Sequence, residues 1–264
     1  MSGLVSFVGA GPGAPDLLTL RAVAVLERAD VVIWARSLVD EAILQHCREG
    51  AELIASDERT HEDVVGVYAR AVSEDLHVAR VQSGDPAIYA TLGEQIAACR
   101  ELALAYEIVP GVGSLSAAAA ALGQELTVPD VSQSLILTRR PTRTSMPPNE
   151  ELSALARHGT TMVLYLSVRR PRELQADLLA GGYAESTPCA VAYRASWPDE
   201  VVLRCALGQL GDRIRAAKIN TQALVIVGPA LDESAAAGRS HVYDPGYGHR
   251  YRRLGRPDRY RSKT

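Results

Sequence analysis

The sequence predicts an α/β protein made of two α/β/α lobes, with a mostly parallel five-stranded sheet in the N-terminal lobe, a mixed sheet in the C-terminal lobe and the active site in the cleft between them. Short β-branched segments alternate with longer helical patterns in the first half of the chain, which is typical of parallel strands joined by helices. The 264 residues, 47% of them hydrophobic, suffice for two cores. One Phe and two Trp favour α/β layers over an aromatic-rich β-sandwich.

Strands and helices alternate along the predicted N-terminal lobe. Apolar residues recur at helical spacing in segments 16–28, 62–74 and 88–100, which predicts three helices. The segments between them are short and rich in Val, Ile and Ala, so they are interpreted as strands. The predicted strands are 4–9, 31–35, 52–55, 77–82 and 105–109.

The pattern changes after residue 110, where an Ala-rich helix is predicted over 114–122 and further strands over 134–138, 161–166, 188–195, 201–206 and 223–228. The segment Ser-Trp-Pro-Asp-Glu at 196–200 predicts an antiparallel hairpin, which makes this sheet mixed. The proline-rich segment 141–149 is expected to be a loop. We therefore predict an N-terminal domain over 1–113, a C-terminal domain over 114–240 and a basic tail over 241–264.

The composition excludes several classes of function. A formal net charge of -3 gives the whole chain no field suited to nucleic acid or to an anionic membrane. The four cysteines are scattered, with no Cys-x-x-Cys pair, so neither a zinc knuckle nor a redox motif is expected. The N-terminus lacks the charged segment of a signal peptide. These features predict a soluble cytoplasmic protein without a metal, a nucleic-acid partner or a membrane partner.

A glycine-rich loop follows the first predicted strand. Gly9, Gly11 and Ala14 satisfy the G-x-G-x-x-G/A dinucleotide pattern, and Arg36 after the second strand offers a partner for a 2′-phosphate. An NADP-dependent oxidoreductase is therefore an alternative. The prolines at positions 12 and 15 remove amide donors where a pyrophosphate needs them, and they delay the helix to about Asp16, its expected N-cap.

Two further loops are predicted at the same edge of the sheet. The first, Ser83-Gly84-Asp85-Pro86-Ala87-Ile88-Tyr89, follows the fourth strand, and the second, 109–116, follows the fifth. Ligands of parallel α/β sheets bind at the carboxyl ends of strands. The Asp85 carboxylate suits ribose hydroxyls or an ammonium group and would repel a pyrophosphate, which points to S-adenosylmethionine. The amides and hydroxyls of 109–116 suit its methionyl carboxylate.

These three loops, followed by segments 161–167, 191–198 and 221–228, resemble the tetrapyrrole methylase family, also called class III methyltransferases. The likeness covers nearly the whole chain. Gly-Pro-Gly-Ala-Pro-Asp at 11–16, Ser-Leu-Val at 37–39 and Ser-His-Val-Tyr-Asp-Pro at 240–245 are similar to the branch that methylates C11 of precorrin-4. Before Ser37 that branch commonly has Tyr-Ala-Gly, whereas this chain has Trp-Ala-Arg at 34–36.

The resemblance implies S-adenosylmethionine as cofactor, S-adenosylhomocysteine as product, precorrin-4 or its cobalt form as substrate, and a homodimer. The expected cofactor-binding residues are Ser83, Gly84, Asp85, Ile88, Tyr89, Gly113, Ser114, Leu166, Ala192, Tyr193, Thr221 and Ala223. The expected substrate-binding residues are Pro12, Gly13, Asp16, Ser37 and Arg139. For the carboxylate arms of such a substrate, Arg36, Arg140 and Arg143 are further candidates.

No nucleophilic side chain is expected in catalysis. Methyl transfer from a sulfonium is an in-line displacement, and an enamine carbon of a precorrin is already electron-rich, so alignment in a dry cleft supplies the catalysis. A general base stays unassigned among His61, His158 and Asp16. Three alternatives remain open: methylation at another ring carbon such as C17 or C20, a binding protein without catalysis, and the NADP-dependent oxidoreductase.

Overall fold

The first five strands form one entirely parallel sheet in the order β3-β2-β4-β1-β5. The computed structural model of the chain describes residues 3–142, 144–232 and 241–252. In the central pairings Val8 lies opposite Val81 of β4 and Val109 of β5. The strands are β1 (Leu4–Gly9), β2 (Val31–Trp34), β3 (Glu52–Ala55), β4 (His77–Gln82) and β5 (Ala105–Val109).

Helices α1 (Leu20–Leu26), α2 (His61–Glu74) and α3 (Leu92–Glu101) cover this sheet. The expectation that α1 begins at Asp16 is wrong. Pro15–Leu17 form a 3-10 turn, the next two residues are extended, and the Thr19 hydroxyl accepts the Ala22 amide at 3.1 Å as the true N-cap. The third helix also begins late.

The late start of α3 has a backbone cause. Tyr89 and Thr91 have φ angles of 55° and 50°, and an α-helix of L-residues cannot continue through left-handed positions. The helix therefore starts only at Leu92 instead of at residue 88. The two faces of the sheet bury separate apolar clusters, one against α1 around Val8, Leu26 and Trp34, and one against α2 and α3 around Phe7 and Tyr68.

The second sheet is mixed, in the order β6-β7-β10-β8-β9, with β6 parallel to β7 and the other pairs antiparallel. Together with the first sheet it confirms the predicted fold class, and the predicted hairpin joins β8 to β9. The strands are β6 (Leu135–Arg139), β7 (Thr161–Tyr165), β8 (Pro188–Tyr193), β9 (Val201–Ala206) and β10 (Ala223–Val227).

The helices of the second sheet divide between its faces. Helix α4 packs small residues such as Ala118 against one face, while Leu174, Leu178 and Ile214 of the other helices belong to the larger cluster on the opposite face. Since β5 ends at Val109 and α4 already packs on the second sheet, the chain crosses between the sheets there; the domain boundary at 113 stays a prediction. The helices are α4 (Ser114–Leu122), α5 (Leu152–Ala156), α6 (Pro171–Ala180) and α7 (Leu210–Ala216).

The C-terminal segment is described as far as Arg252. It contains a 3-10 turn (His241–Tyr243), and the Arg252 guanidinium donates to the carbonyls of Val242, Asp244 and Tyr247. The rest of the predicted basic tail, 253–264, and the candidate Arg143 lie outside the described residues. Among the described helices, none combines the length and apolar character that a membrane span requires.

Replacement of Leu178 by Ala tests the core of the second sheet. Leu178 is fully buried, and its truncation leaves a cavity that should lower the free energy of unfolding by about 2 to 5 kcal/mol. The control is Leu20→Ala, because Leu20 is 91% exposed and should change stability by less than about 0.5 kcal/mol. Urea denaturation followed by circular dichroism measures both. Equal effects of the two substitutions would contradict the described packing.

Candidate active site

Three glycine-rich loops meet at the carboxyl edge of the first sheet. They follow β1, β4 and β5, which are neighbours in the sheet, so their chain ends emerge side by side. Gly11 and Gly84 exchange two backbone hydrogen bonds, with the Gly84 amide donating at 2.7 Å and the Gly11 amide at 3.2 Å. The loops after β1 and β4 are thereby paired along their backbones.

The crossing with the third loop requires glycine. A Cβ on Gly9 would lie 2.5 Å from the amide nitrogen of Gly111, and a Cβ on Gly111 would lie 2.2 Å from the carbonyl oxygen of Gly84. These distances are far below van der Waals contact, so no side chain fits at either position. Gly84 also has a left-handed φ of 69°. The loops therefore interlock as bare backbone.

Asp85 ties the second loop to the third. One carboxylate oxygen accepts the amide of Ala87 at 2.8 Å, and the other accepts the amide of Gly111 at 2.8 Å. A carboxylate has about four lone-pair sites, so both oxygens keep acceptor capacity toward a ligand. Asp85 is partly exposed. It therefore fixes the loops and still presents negative charge at their crossing.

The loop after β1 and Arg36 are poorly suited to bind the pyrophosphate and the 2′-phosphate of NADP. The Gly11 amide already donates to Gly84. The Arg36 guanidinium lies 3.9 Å from Asp57 and 4.0 Å from Glu58, and hydrogen bonding from Ser37 lowers the pKa of the Asp57 carboxyl. Negative charge beside Arg36 disfavours a 2′-phosphate. The geometry therefore disfavours the NADP interpretation.

The second sheet brings its predicted cofactor residues to one edge. Because β7 and β8 both run antiparallel to β10, the ends of β7 and β8 meet the start of β10. Ala223 lies opposite Tyr193, and Leu224 lies opposite Ala192. Leu166, just past β7, is 63% exposed. Together with Thr221, these residues are expected to form one wall of the predicted cleft, with the three loops as the other wall.

Tyr165 connects the two walls, although the sequence interpretation did not single it out. Burial raises the pKa of the Tyr165 phenol, and hydrogen bonding with Ser114 and Leu115 at the start of α4 opposes that rise. Its ring lies 5.3 Å from that of Tyr89, centroid to centroid. Only the position of Tyr165 at the end of a buried strand could have indicated this role.

Left-handed backbone occurs at five non-glycine residues beside the predicted cleft and at five further described residues, Asp75, Thr91, Ala103, Asp130 and Lys218. Left-handed φ angles occur at Tyr89 (55°), Leu166 (52°), Arg194 (46°), Ser196 (72°) and Gln222 (50°). Each such residue costs on the order of 1 to 3 kcal/mol and persists only where its surroundings hold it, which is common at functional sites. The five beside the cleft lie in or next to the predicted binding segments, as strained residues of functional sites often do.

The predicted substrate residues occupy different environments. Pro12 and Gly13 are buried, whereas Asp16 is exposed. The Ser37 carbonyl accepts the side-chain amide of Gln222 from the second lobe. The Arg139 guanidinium donates to the carbonyls of Thr144 at 3.4 Å and Ser145 at 2.9 Å. Arg139 thus holds residues 144 and 145 of the predicted loop by hydrogen bonds.

The three candidate bases lie apart from one another. His61 begins α2 and faces a groove toward α3 lined by Glu94 and Glu101. His158 follows α5 and precedes β7, at the opposite end of that strand from the cleft. Only Asp16 belongs to one of the three loops. Across residues 3–142, 144–232 and 241–252, no group of three His, Cys, Asp or Glu side chains is placed to hold a metal ion.

Comparison with known proteins identifies the family. Residues 4–211 match the family model of the Tetrapyrrole (Corrin/Porphyrin) Methylases, so the chain belongs to that family and the predicted resemblance is confirmed. It is 41% identical to a cobalt-precorrin-4 C(11)-methyltransferase of Methanocaldococcus jannaschii, over 94% of this chain and 96% of the relative. It is 42% identical to a precorrin-4 C(11)-methyltransferase of Pseudomonas aeruginosa, over 92% and 99%.

Solved structures agree with this assignment. A cobalt precorrin-4 methyltransferase of cobalamin biosynthesis superimposes with a TM-score of 0.84 at 40% identity, over 87% of this chain and 96% of that one. A uroporphyrin-III C-methyl transferase of Thermus thermophilus, complexed with S-adenyl homocysteine, superimposes with a TM-score of 0.74 at 28% identity, over 87% and 99%.

Replacement of Gly111 by Ala tests the crossing of the loops. The added Cβ would collide with the Gly84 carbonyl, so the substitution should lower the free energy of unfolding by about 1 to 3 kcal/mol and speed hydrogen exchange of the Gly84 amide. In the control Gly66→Ala the new Cβ meets nothing within 4 Å, and stability should rise by about 0.5 to 1 kcal/mol. An unchanged Gly84 amide in Gly111→Ala would refute the described crossing.

Proposed function

We propose that the chain is an S-adenosylmethionine-dependent C-methyltransferase of cobalamin biosynthesis that methylates C11 of precorrin-4, giving precorrin-5 and S-adenosylhomocysteine. The observation that carries the proposal is the Asp85 carboxylate, held by two amides at the crossing of three loops in a chain that belongs to the tetrapyrrole methylases. The C11 position is supported by relatives of that specificity at about 41% and 42% identity.

The cofactor would lie between the loops and the edge of the second sheet. Near the Asp85 carboxylate, Gly113 faces open space, with no atom within 4 Å of a notional Cβ, whereas a Cβ on Gly84 would contact the Ser114 amide nitrogen at 3.6 Å. The negative charge of Asp85 suits the ammonium and ribose hydroxyls of the donor. The backbone at the start of α4 would suit its carboxylate.

The adenine and the apolar parts of the donor would contact exposed apolar side chains of both lobes. Ile88 is 38% exposed, Tyr89 46% and Leu166 63%, and they lie near one another because the Tyr89 ring packs against Tyr165, the residue before Leu166; exposed apolar patches of this kind mark binding sites. Backbone of Ala192, Tyr193 and Ala223 borders the same space. The structural neighbour complexed with S-adenyl homocysteine supports a donor of this class.

The chemistry needs alignment more than reactive side chains. In the displacement the positive charge on sulfur disappears, so a dry cleft favours the transition state over the charged reactants. The tetrapyrrole carbon supplies the electron pair of the new carbon–carbon bond. The sulfur keeps the pair of the broken sulfur–methyl bond and leaves as the neutral thioether of S-adenosylhomocysteine. The residues of this chain therefore bind both reactants, exclude water and hold the methyl group in line with the ring carbon.

The substrate would lie against the loops after β1 and β2, which contain Pro12, Gly13, Asp16 and Ser37. Its carboxylate arms require cationic partners, and Arg139 is a candidate near Tyr89. Burial raises the pKa of the Tyr89 phenol, and the positive charge of Arg139 opposes that rise. We propose either metal-free or cobalt-bound precorrin-4 as substrate, since relatives of both kinds occur. We further propose a cytoplasmic homodimer, with all four thiols free.

The test of this function is incubation with precorrin-4 and donor labelled with carbon-13 in the methyl group, followed by NMR assignment of the new methyl signal. We expect the label at C11, and a parallel reaction with cobalt-precorrin-4 identifies the preferred form. Label at C17 or C20 would mean a related enzyme of different specificity. Binding of both compounds without transfer would mean a binding protein and would overturn the proposal.

Replacement of Asp85 by Asn tests the cofactor site. The substitution removes the negative charge and places an amide donor against the amide of Gly111 or Ala87. Because a hydrogen bond to a charged group contributes about 1.5 to 3 kcal/mol, the Kd for S-adenosylhomocysteine should rise at least tenfold, as measured by calorimetry. The control is Asp212→Asn, which loses only a surface ion pair with Arg172. Wild-type affinity in Asp85→Asn would exclude Asp85 from the site.

A further inference from the structure

The turn between β8 and β9 is held rigidly by its own contacts. The Ser196 amide donates to Glu200 at 2.7 Å, the Arg194 guanidinium pairs with Asp199 at 2.9 Å, and the same guanidinium stacks over the Trp197 ring at 4.1 Å from its centroid. Two of these residues, Arg194 and Ser196, have left-handed backbone. Residues 194–200, the clasp turn, therefore have one fixed shape.

The tip of the clasp turn contacts the first loop of the other lobe. The indole nitrogen of Trp197 donates to the Pro12 carbonyl at 2.9 Å, and the Ala14 amide donates to the Ser196 hydroxyl at 3.0 Å. Between these bonds the indole covers Gly13, where a Cβ would lie 2.2 Å from the ring. Two hydrogen bonds and one close contact thus join the lobes.

A second contact joins the same turn to the loop after β2. The Arg194 amide donates to the Gln222 carbonyl at 2.9 Å, which couples the clasp turn to the residue before β10. The Gln222 side chain donates to the Ser37 carbonyl. The second lobe therefore forms hydrogen bonds with both loops of the proposed substrate surface, the one after β1 and the one after β2.

The indole of Trp197 does not pack into the hydrophobic core of either lobe. Each sheet is packed by its own apolar clusters, and Trp197 belongs to none of the four that the described residues form. Its contacts are with Pro12, Gly13 and Arg194. A large aromatic side chain placed only between the lobes fixes their relative position.

We propose that Trp197 is a positioning residue for methyl transfer, which holds the substrate-side loops of the first lobe in register with the cofactor edge of the second. The inference rests on the proposed function. The methyl group lies on one wall and the ring carbon on the other, and a displacement of about 1 Å can cost about a hundredfold in rate. In this role Trp197 acts through its contacts with Pro12 and Gly13.

The test is Trp197→Phe, which keeps an aromatic ring beside Arg194 but removes the donor to Pro12 together with part of the indole's contact with Gly13. The kcat for methyl transfer should fall about tenfold to a hundredfold and the KM for precorrin-4 should rise, while the Kd for S-adenosylhomocysteine stays within about twofold. Hydrogen exchange of the Ala14 amide should become faster. Ser196→Ala, which removes the acceptor of that amide, should act in the same direction.

The matched control is Tyr183→Phe, which also removes one side-chain donor to a backbone carbonyl, that of Thr160, inside the second lobe. It should leave kcat, KM and the Ala14 amide unchanged. Wild-type kcat and Ala14 exchange in Trp197→Phe would overturn the proposal, as would an equal loss of S-adenosylhomocysteine binding. If wild-type protein transfers no methyl group, the proposed function fails, and exchange at Ala14 still decides whether the clasp exists.

Discussion

The hydrogen bond from the Gly111 amide to the Asp85 carboxylate is the contact on which the active site depends. It joins loops that follow two different strands, and it forms only because Gly9, Gly84 and Gly111 allow backbones to approach without side chains. The Asp85 carboxylate therefore has two roles. It closes the loop crossing, and it gives the crossing the negative charge that suits a cationic methyl donor.

The fold separates rigidity from function. Each sheet buries its own apolar clusters, so each lobe holds its loops on a stable base. The lobes contact each other through Tyr165, whose ring packs against that of Tyr89, and through Trp197, which donates to Pro12. In the proposed reaction, which needs no nucleophilic side chain, such control of the distance between the two lobes would be the protein's main contribution.

Local pattern predicted most of the architecture, and long-range contacts account for what it missed. Alternation and turn chemistry gave the five strands of the first lobe, helix α4 and the β8–β9 hairpin, and the order of the loops identified the family. The N-cap of α1, Thr19, was not predicted, because two extended residues, Leu18 and Thr19, separate the 3-10 turn at Pro15–Leu17 from the helix. The contacts of Asp85 with Gly111 and of Trp197 with Pro12 span 26 and 185 residues, distances over which spacing carries no signal.

Calorimetric titration of the wild-type protein with S-adenosylhomocysteine and, separately, with NADPH tests the central claim most directly. If the loop crossing is shaped and charged for a sulfonium donor, the first compound binds with one site per chain and the second gives no heat of binding. Saturable binding of NADPH, or no binding of S-adenosylhomocysteine to folded protein, would contradict the account.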